Sequence, residues 1–116
     1  TGNSGSSSLS AQNAGDTSRP YQVKGRRLDD VVREMGLLRV DVLKADIEGA
    51  EVLALSGARD VLQRFRPVLI LEVVPKQLEN MGTSVAALHE LLRSAGYTQS
   101  RWVDYKNVEF RTSLAR

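Results

Sequence analysis

The chain has 116 residues, 41% of them apolar and 26% charged, which is one domain's worth or part of a larger one. Its 16 basic and 14 acidic residues leave a net charge of +2, too near balance for a nucleic-acid footprint. The absence of cysteine excludes disulfide scaffolds, thiolate metal sites and cysteine nucleophiles, and the single histidine, His89, cannot build a multi-histidine metal centre.

In chain order, Thr1 to Arg19 is almost wholly Gly, Ser, Asn, Thr, Ala and Gln, a composition that cannot offset its own ordering entropy and reads as a linker. Order is expected from Pro20, with a short extended segment over Tyr21 to Gly25. Leu28, Val31, Val32 and Met35 then fall at i, i+3, i+4 and i+7, predicting a short amphipathic helix closed by Gly36. Arg39 to Ile47 reads as a strand ending in polar residues. From Gly49 to Phe65 the period returns to 3.6, with Gly57 expected to divide this helix and Arg66-Pro67 to end it.

Val68 to Val74 is nearly continuous in apolar character, the pattern of a strand buried on both faces of a parallel sheet. The run Val68 to Leu71 is far short of the ~20 apolar residues a membrane span needs. A third helix is expected from Thr83 or Ser84 to Ala95, opened by a hydroxyl cap and closed by Gly96. Thr98 to Asp104 and Val108 to Thr112 read as strands, close enough for an antiparallel hairpin across Tyr105-Lys106-Asn107. Strands alternating with helices predict an α/β sheet, parallel where helices cross over and mixed at one edge. Trp102, Tyr97 and Tyr105 are expected in the core and His89 at its boundary. With no leader at its start, the chain is expected to be soluble and cytoplasmic; its opening on Thr1 predicts an excerpt of a longer protein.

Ligands of open α/β sheets bind beyond the carboxyl ends of the strands. Asp46 ends the first buried strand, followed at once by Glu48-Gly49, and Glu72 sits late in the second, so their carboxylates are expected at one crevice. Lys44 and Asp46 are two apart and share a strand face, so Lys44 could orient Asp46 by a charge-assisted hydrogen bond. Glu48 and Glu51 read equally well as acids favoured by a helix N-terminus, and Glu72 as a buried structural carboxylate. No nucleophile elbow follows a strand, and the Ser-rich opening lacks the strand and helix of a phosphate cradle.

The string Val40-Asp41-Val42-Leu43-Lys44-Ala45-Asp46-Ile47-Glu48-Gly49-Ala50-Glu51 carries the argument further. With Gly57-Ala58 and Arg66-Pro67-Val68-Leu69-Ile70-Leu71-Glu72 after it, the chain resembles the FkbM-type family of S-adenosylmethionine-dependent methyltransferases. That family shows Lys-x-Asp-x-Glu-Gly-x-Glu at a strand end, a Leu-x-Gly-Ala turn, then Pro and a buried strand closing in Glu. Arg27-Leu28-Asp29-Asp30 is similar to its Thr-Leu-Asp helix opening, Asn3 to Leu9 to its Asn-x-Gly-x-Ser-Ser-Leu loop, and Leu91 to Tyr97 to its Leu-x-x-x-Gly-Tyr ending. On this resemblance residues 1–19 become a Ser/Gly-rich loop near the crevice, and residues 20–116 the C-terminal part of a methyltransferase domain.

The resemblance implies an α/β, Rossmann-like class I methyltransferase fold of which this chain is the C-terminal half: strands four to seven in a mixed sheet, the last antiparallel. The Gly-rich turn and acid that hold S-adenosyl-L-methionine would lie in the missing N-terminal half, so no cofactor-binding residue is assigned in this chain. Asp46 would face the methyl-transfer centre and orient the acceptor or take its proton, with Glu48 and Lys44 in support and Glu72 lining the acceptor pocket. The expected acceptor is a hydroxyl of a sugar or other small metabolite; no metal is required, and neither nucleic acid nor membrane is an expected partner. The chain alone is expected to be inactive. The alternative is a truncated, non-catalytic α/β binding or interaction module.

Overall fold

A computed structural model describes residues 25–113; the Ser/Gly-rich segment at 1–19 and the extended segment before Gly25 lie outside the described residues. The elements run α1 (Leu28–Met35), β1 (Val42–Ala45), α2 (Glu51–Ser56), α3 (Arg59–Phe65), β2 (Val68–Glu72), α4 (Pro75–Asn80), α5 (Val85–Ser94), β3 (Tyr97–Trp102) and β4 (Asn107–Thr112). The strands form one mixed sheet in the order β1-β2-β4-β3. β1 and β2 are parallel, and β4 lies antiparallel to both β2 and β3. The predicted hairpin is therefore present, but its second strand enters the sheet beside β2 and leaves β3 at the edge.

Local chemistry sets the boundaries. Gly36 closes α1 in the left-handed conformation at φ 66°. Gly57 parts α2 from α3, and a Cβ there would come within 3.2 Å of the Arg27 side chain. Arg66 ends α3 at φ 48°, since a residue before proline is driven out of the helical region. The Ser84 hydroxyl accepts from the Ala87 N–H at 3.0 Å and opens α5 as expected.

The apolar side chains gather on one side of the sheet. Leu69 and Leu71 of β2, with Val108 and Phe110 of β4, meet Leu55 of α2, Leu62 of α3, Leu78 of α4 and Leu88 and Leu92 of α5. A second, smaller cluster joins Val32 of α1 to Ala58, Val61 and Phe65. β2 was expected to be buried on both faces, yet Val68 and Ile70 are only half-buried. The helices' leucines close over the Leu69/Leu71 face, and the opposite face turns Lys44, Ile70, Glu109 and Arg101 into one row across all four strands.

Three further expectations are corrected. The first strand is shorter than Arg39 to Ile47, because pairing with β2 covers only Val42 to Ala45. Residues Pro75–Asn80 form α4, which was not anticipated: one apolar residue in six sets no period, although proline at the first helical position signals a helix start. Of the three aromatic residues expected in the core, only Tyr97 is buried, where its hydroxyl donates to the Pro67 carbonyl at 2.5 Å. Trp102 and Tyr105, at the hairpin end, are 62% and 87% exposed. No helix among the described residues is long and apolar enough to cross a membrane.

Candidate functional site

The parallel register sets Ala45 of β1 opposite Leu71 of β2. Asp46 directly follows β1, and Glu72 closes β2 opposite Asn107 of β4. Strand alternation puts all three on the face that carries Lys44 and Ile70. The two acids expected at one crevice follow and close neighbouring strands, Asp46 exposed and Glu72 with 4% of its surface accessible. Lys44 is also exposed, and among the described residues no ion pair joins it to Asp46. Lys106, from the β3–β4 turn, feels the charge of Asp46.

Lys106 and Glu72 form the central contact. Lys106 Nζ donates to Glu72 Oε2 at 2.9 Å, with Glu72 buried and the lysine side chain 33% exposed. This bond and the charge of Glu72 hold the Lys106 ammonium above its usual range, with Asp46 adding in the same direction. The turn that presents Lys106 is tied by Asp104, whose Oδ1 accepts the N–H groups of Lys106 and Asn107 at 2.9 and 2.8 Å. Those backbone donors, and the Asn107 amide, keep the Asp104 carboxyl below its usual range.

After Asp46 the chain reverses. Glu48 and Gly49 have φ of 56° and 101°, and the Ala50 N–H returns to the Ile47 carbonyl at 3.3 Å. Two successive positive φ angles mark a turn that glycine tolerates and glutamate does not favour. Glu48 is half-buried and forms no hydrogen bond to Asp46 or Glu72. Glu51, the first residue of α2, is fully buried and folds back on the turn, its two carboxylate oxygens accepting from Ile47 N–H and Gly49 N–H, each at 3.0 Å. Burial pushes the Glu51 carboxyl up, the Ile47 and Gly49 donors oppose the rise, and the charge of Glu72 adds to it. α4 packs against the same turn: a Cβ on Gly49 would lie 2.2 Å from the Gln77 carbonyl oxygen.

The buried side-chain oxygens left without a partner among the described residues are Glu72 Oε1, Asn107 Oδ1, Gln77 Oε1 and Thr112 Oγ1. The first two face one another across β2 and β4, and Gln77 belongs to the helix packed on Gly49. Unpartnered acceptors near the strand ends suit a ligand that brings its own donors, a hydroxyl or an ammonium. Among the described residues no group of three or more His, Cys, Asp or Glu is arranged to hold a metal ion. Among the described residues no Gly-rich turn follows a strand. A groove of about 530 Å³ between α5 and β3, lined in part by His89 and Phe110, lies away from the strand ends.

Sequence reasoning singled out Asp46, Glu48, Lys44 and Glu72 as site candidates, but not Lys106, Asn107 or the clamp role of Glu51. An acid three residues before an asparagine, as in Asp104-x-x-Asn107, was the available signal for a fixed turn that aims its intervening lysine.

Comparison with known proteins adds the following. The family model of the methyltransferase FkbM domain matches residues 1–98. The AMB antimetabolite synthetase AmbE of Pseudomonas aeruginosa is 36% identical over 80 residues, 69% of this chain and 4% of that protein. The 2-O-methyltransferase NoeI of Sinorhizobium fredii is 32% identical over 75 residues, 65% of this chain and 30% of that protein. The chain therefore spans less than a third of either relative. No solved structure matches it at a significant level.

Proposed function

This chain belongs to the FkbM methyltransferase domain family, and on that premise we propose that it forms the acceptor-side part of an S-adenosylmethionine-dependent O-methyltransferase domain. The observation that carries the reading is Lys106, which pairs with the buried Glu72 at the end of β2 and also feels the charge of the exposed Asp46, the residue that follows β1. A mixed sheet in the order β1-β2-β4-β3 whose last strand runs antiparallel supports reading the four strands as the fourth to seventh of such a domain. An oxygen acceptor is supported by the NoeI relative, a 2-O-methyltransferase by name.

When bound, S-adenosylmethionine supplies an electrophilic methyl group, and the described residues act on the acceptor. Asp46 accepts a hydrogen bond from the acceptor hydroxyl, fixes the direction of its lone pair and takes its proton as the oxygen attacks. Glu72, held by Lys106, borders the pocket and leaves Oε1 for a second donor of the acceptor. Glu48 supports Asp46 through the turn that both belong to, and Lys44 contributes positive charge on the same sheet face.

The test uses the whole protein that carries this domain, labelled S-adenosylmethionine and a panel of hydroxylated metabolites. Asp46→Asn should lower methyl transfer by roughly 10²–10⁴-fold, the range of a lost general base. Its melting temperature should hold, because Asp46 is exposed. Undiminished transfer by this variant removes Asp46 from the reaction. The 116-residue chain by itself should bind no S-adenosylmethionine in calorimetry, and saturable binding would overturn the partial-domain reading.

A further inference from the structure

Two carboxylates and an amide oxygen at neighbouring strand ends are the hard oxygen donors that divalent cations take. Asp46, Glu72 and Asn107 form such a row, and Glu72 Oε1 and Asn107 Oδ1 are buried with no partner. Yet the row already holds a positive charge: the Lys106 ammonium sits 2.9 Å from Glu72 Oε2 and also feels the charge of Asp46. The Asp104 turn fixes where that ammonium can reach, and the Tyr105 ring lies under it at 5.9 Å. We propose that Lys106 is a positioning residue that serves as a built-in countercharge at the strand-end crevice, in the place a divalent metal would take between Glu72 and Asp46.

The physical case is one of charge and burial. A carboxylate as buried as Glu72 needs a cation or several donors, and among the described residues Lys106 is the one that meets it. An ammonium satisfies one oxygen and leaves the other open, so the crevice keeps an acceptor for a donor-bearing ligand. A metal would draw both oxygens to itself. Lys106 also lies beyond residues 1–98, the span the family model matches, so the counter-ion comes from outside the stretch that carries the family motif. Its setting in an acceptor pocket rests on the function proposed above; the countercharge role does not, and its test reads no methyl transfer.

The full 116-residue chain is compared with Lys106→Met, Lys106→Arg and the double variant Lys106→Met/Glu72→Gln, by thermal melting with and without Mn²⁺ and by electron paramagnetic resonance of bound Mn²⁺. Wild type and Lys106→Arg should melt alike with and without the metal. Lys106→Met should melt lower, regain stability with Mn²⁺ and bind it at least about tenfold more tightly than wild type, one decade in Kd. The double variant should recover melting stability without metal and lose the Mn²⁺ affinity. Wild type stabilised by Mn²⁺, or Lys106→Met binding it no better than wild type, overturns the proposal. If Lys106→Met shows no transition in the absence of metal, the double variant decides, and one that is no more stable overturns it too.

Discussion

Glu51 occupies a position where a carboxylate ordinarily faces solvent and complements a helix dipole. In this chain it is fully buried and spends both oxygens on the turn that follows Asp46. The turn is thereby closed twice, by Glu51 from one side and by the Gln77 backbone against Gly49 from the other. Glu51→Gln should destabilise the chain by about 1–3 kcal/mol in a denaturant titration, because an amide offers one acceptor to two buried donors. Gly49→Ala should cost more than about 2 kcal/mol, since it adds left-handed strain to an overlap with backbone that cannot swing aside. A Gly49→Ala chain as stable as the parent would mean that α4 does not sit against the turn. The sequence motif showed that Glu48, Gly49 and Glu51 belong together; it did not show which acid is structural. Spacing reports that a carboxylate is near a helix start, and only the third dimension shows whether it faces solvent or folds inward.

At the scale of elements, the strands and longer helices were legible because each carries a period or an unbroken apolar run. α4 was not, having only Leu78 to bury, and β1 was overread because Asp41 and Asp46 flank a pairing only four residues long. The position of β4 was not legible either: a hairpin fixes that two strands are adjacent, not which of them meets the rest of the sheet. β1 pairs with β2 alone among the described residues, and Val42 on it is 57% exposed. An unpaired, apolar strand edge is a template for association. The 116-residue chain should therefore self-associate at micromolar concentration, and Val42→Lys should shift sedimentation toward the monomer. A parent chain that sediments as a monomer throughout would show that this edge is covered.

For the molecule as a whole, two ties depend on protons that the unfolded chain gives up near pH ~10, the ordinary range of tyrosine and lysine. Burial pushes the Tyr97 phenol well above that range where it bonds Pro67, and Glu72 holds Lys106 above it. A raised folded value means that the native state keeps a proton the unfolded state loses. Stability from both ties is complete below about pH 10 and falls as pH rises through the folded values. On the acid side Arg111 and Arg101 hold the Glu109 carboxyl down, so its contribution is present above the ordinary glutamate range and lost as pH falls. Tyr97→Phe should lower neutral stability by about 1 kcal/mol and flatten the alkaline limb of a stability–pH curve. An alkaline limb identical to the parent's would place the titration elsewhere.

The meeting of α1 and α3 has its own consequence. α3 has no side-chain cap from its own N-terminal residue; Asp29 of α1 supplies one, accepting from the Asp60 and Val61 N–H groups at 3.1 and 3.0 Å, while its own N–H goes to the Gly57 carbonyl. A helix whose first turn is completed by a residue about thirty positions upstream is a debtor to earlier sequence. Chain emerging from a ribosome meets that condition automatically, since Asp29 is made first. A shortened chain that starts after Asp29 would not, and trimming toward a minimal piece would cost α3 its cap, about 0.5–2 kcal/mol, while leaving its own sequence untouched.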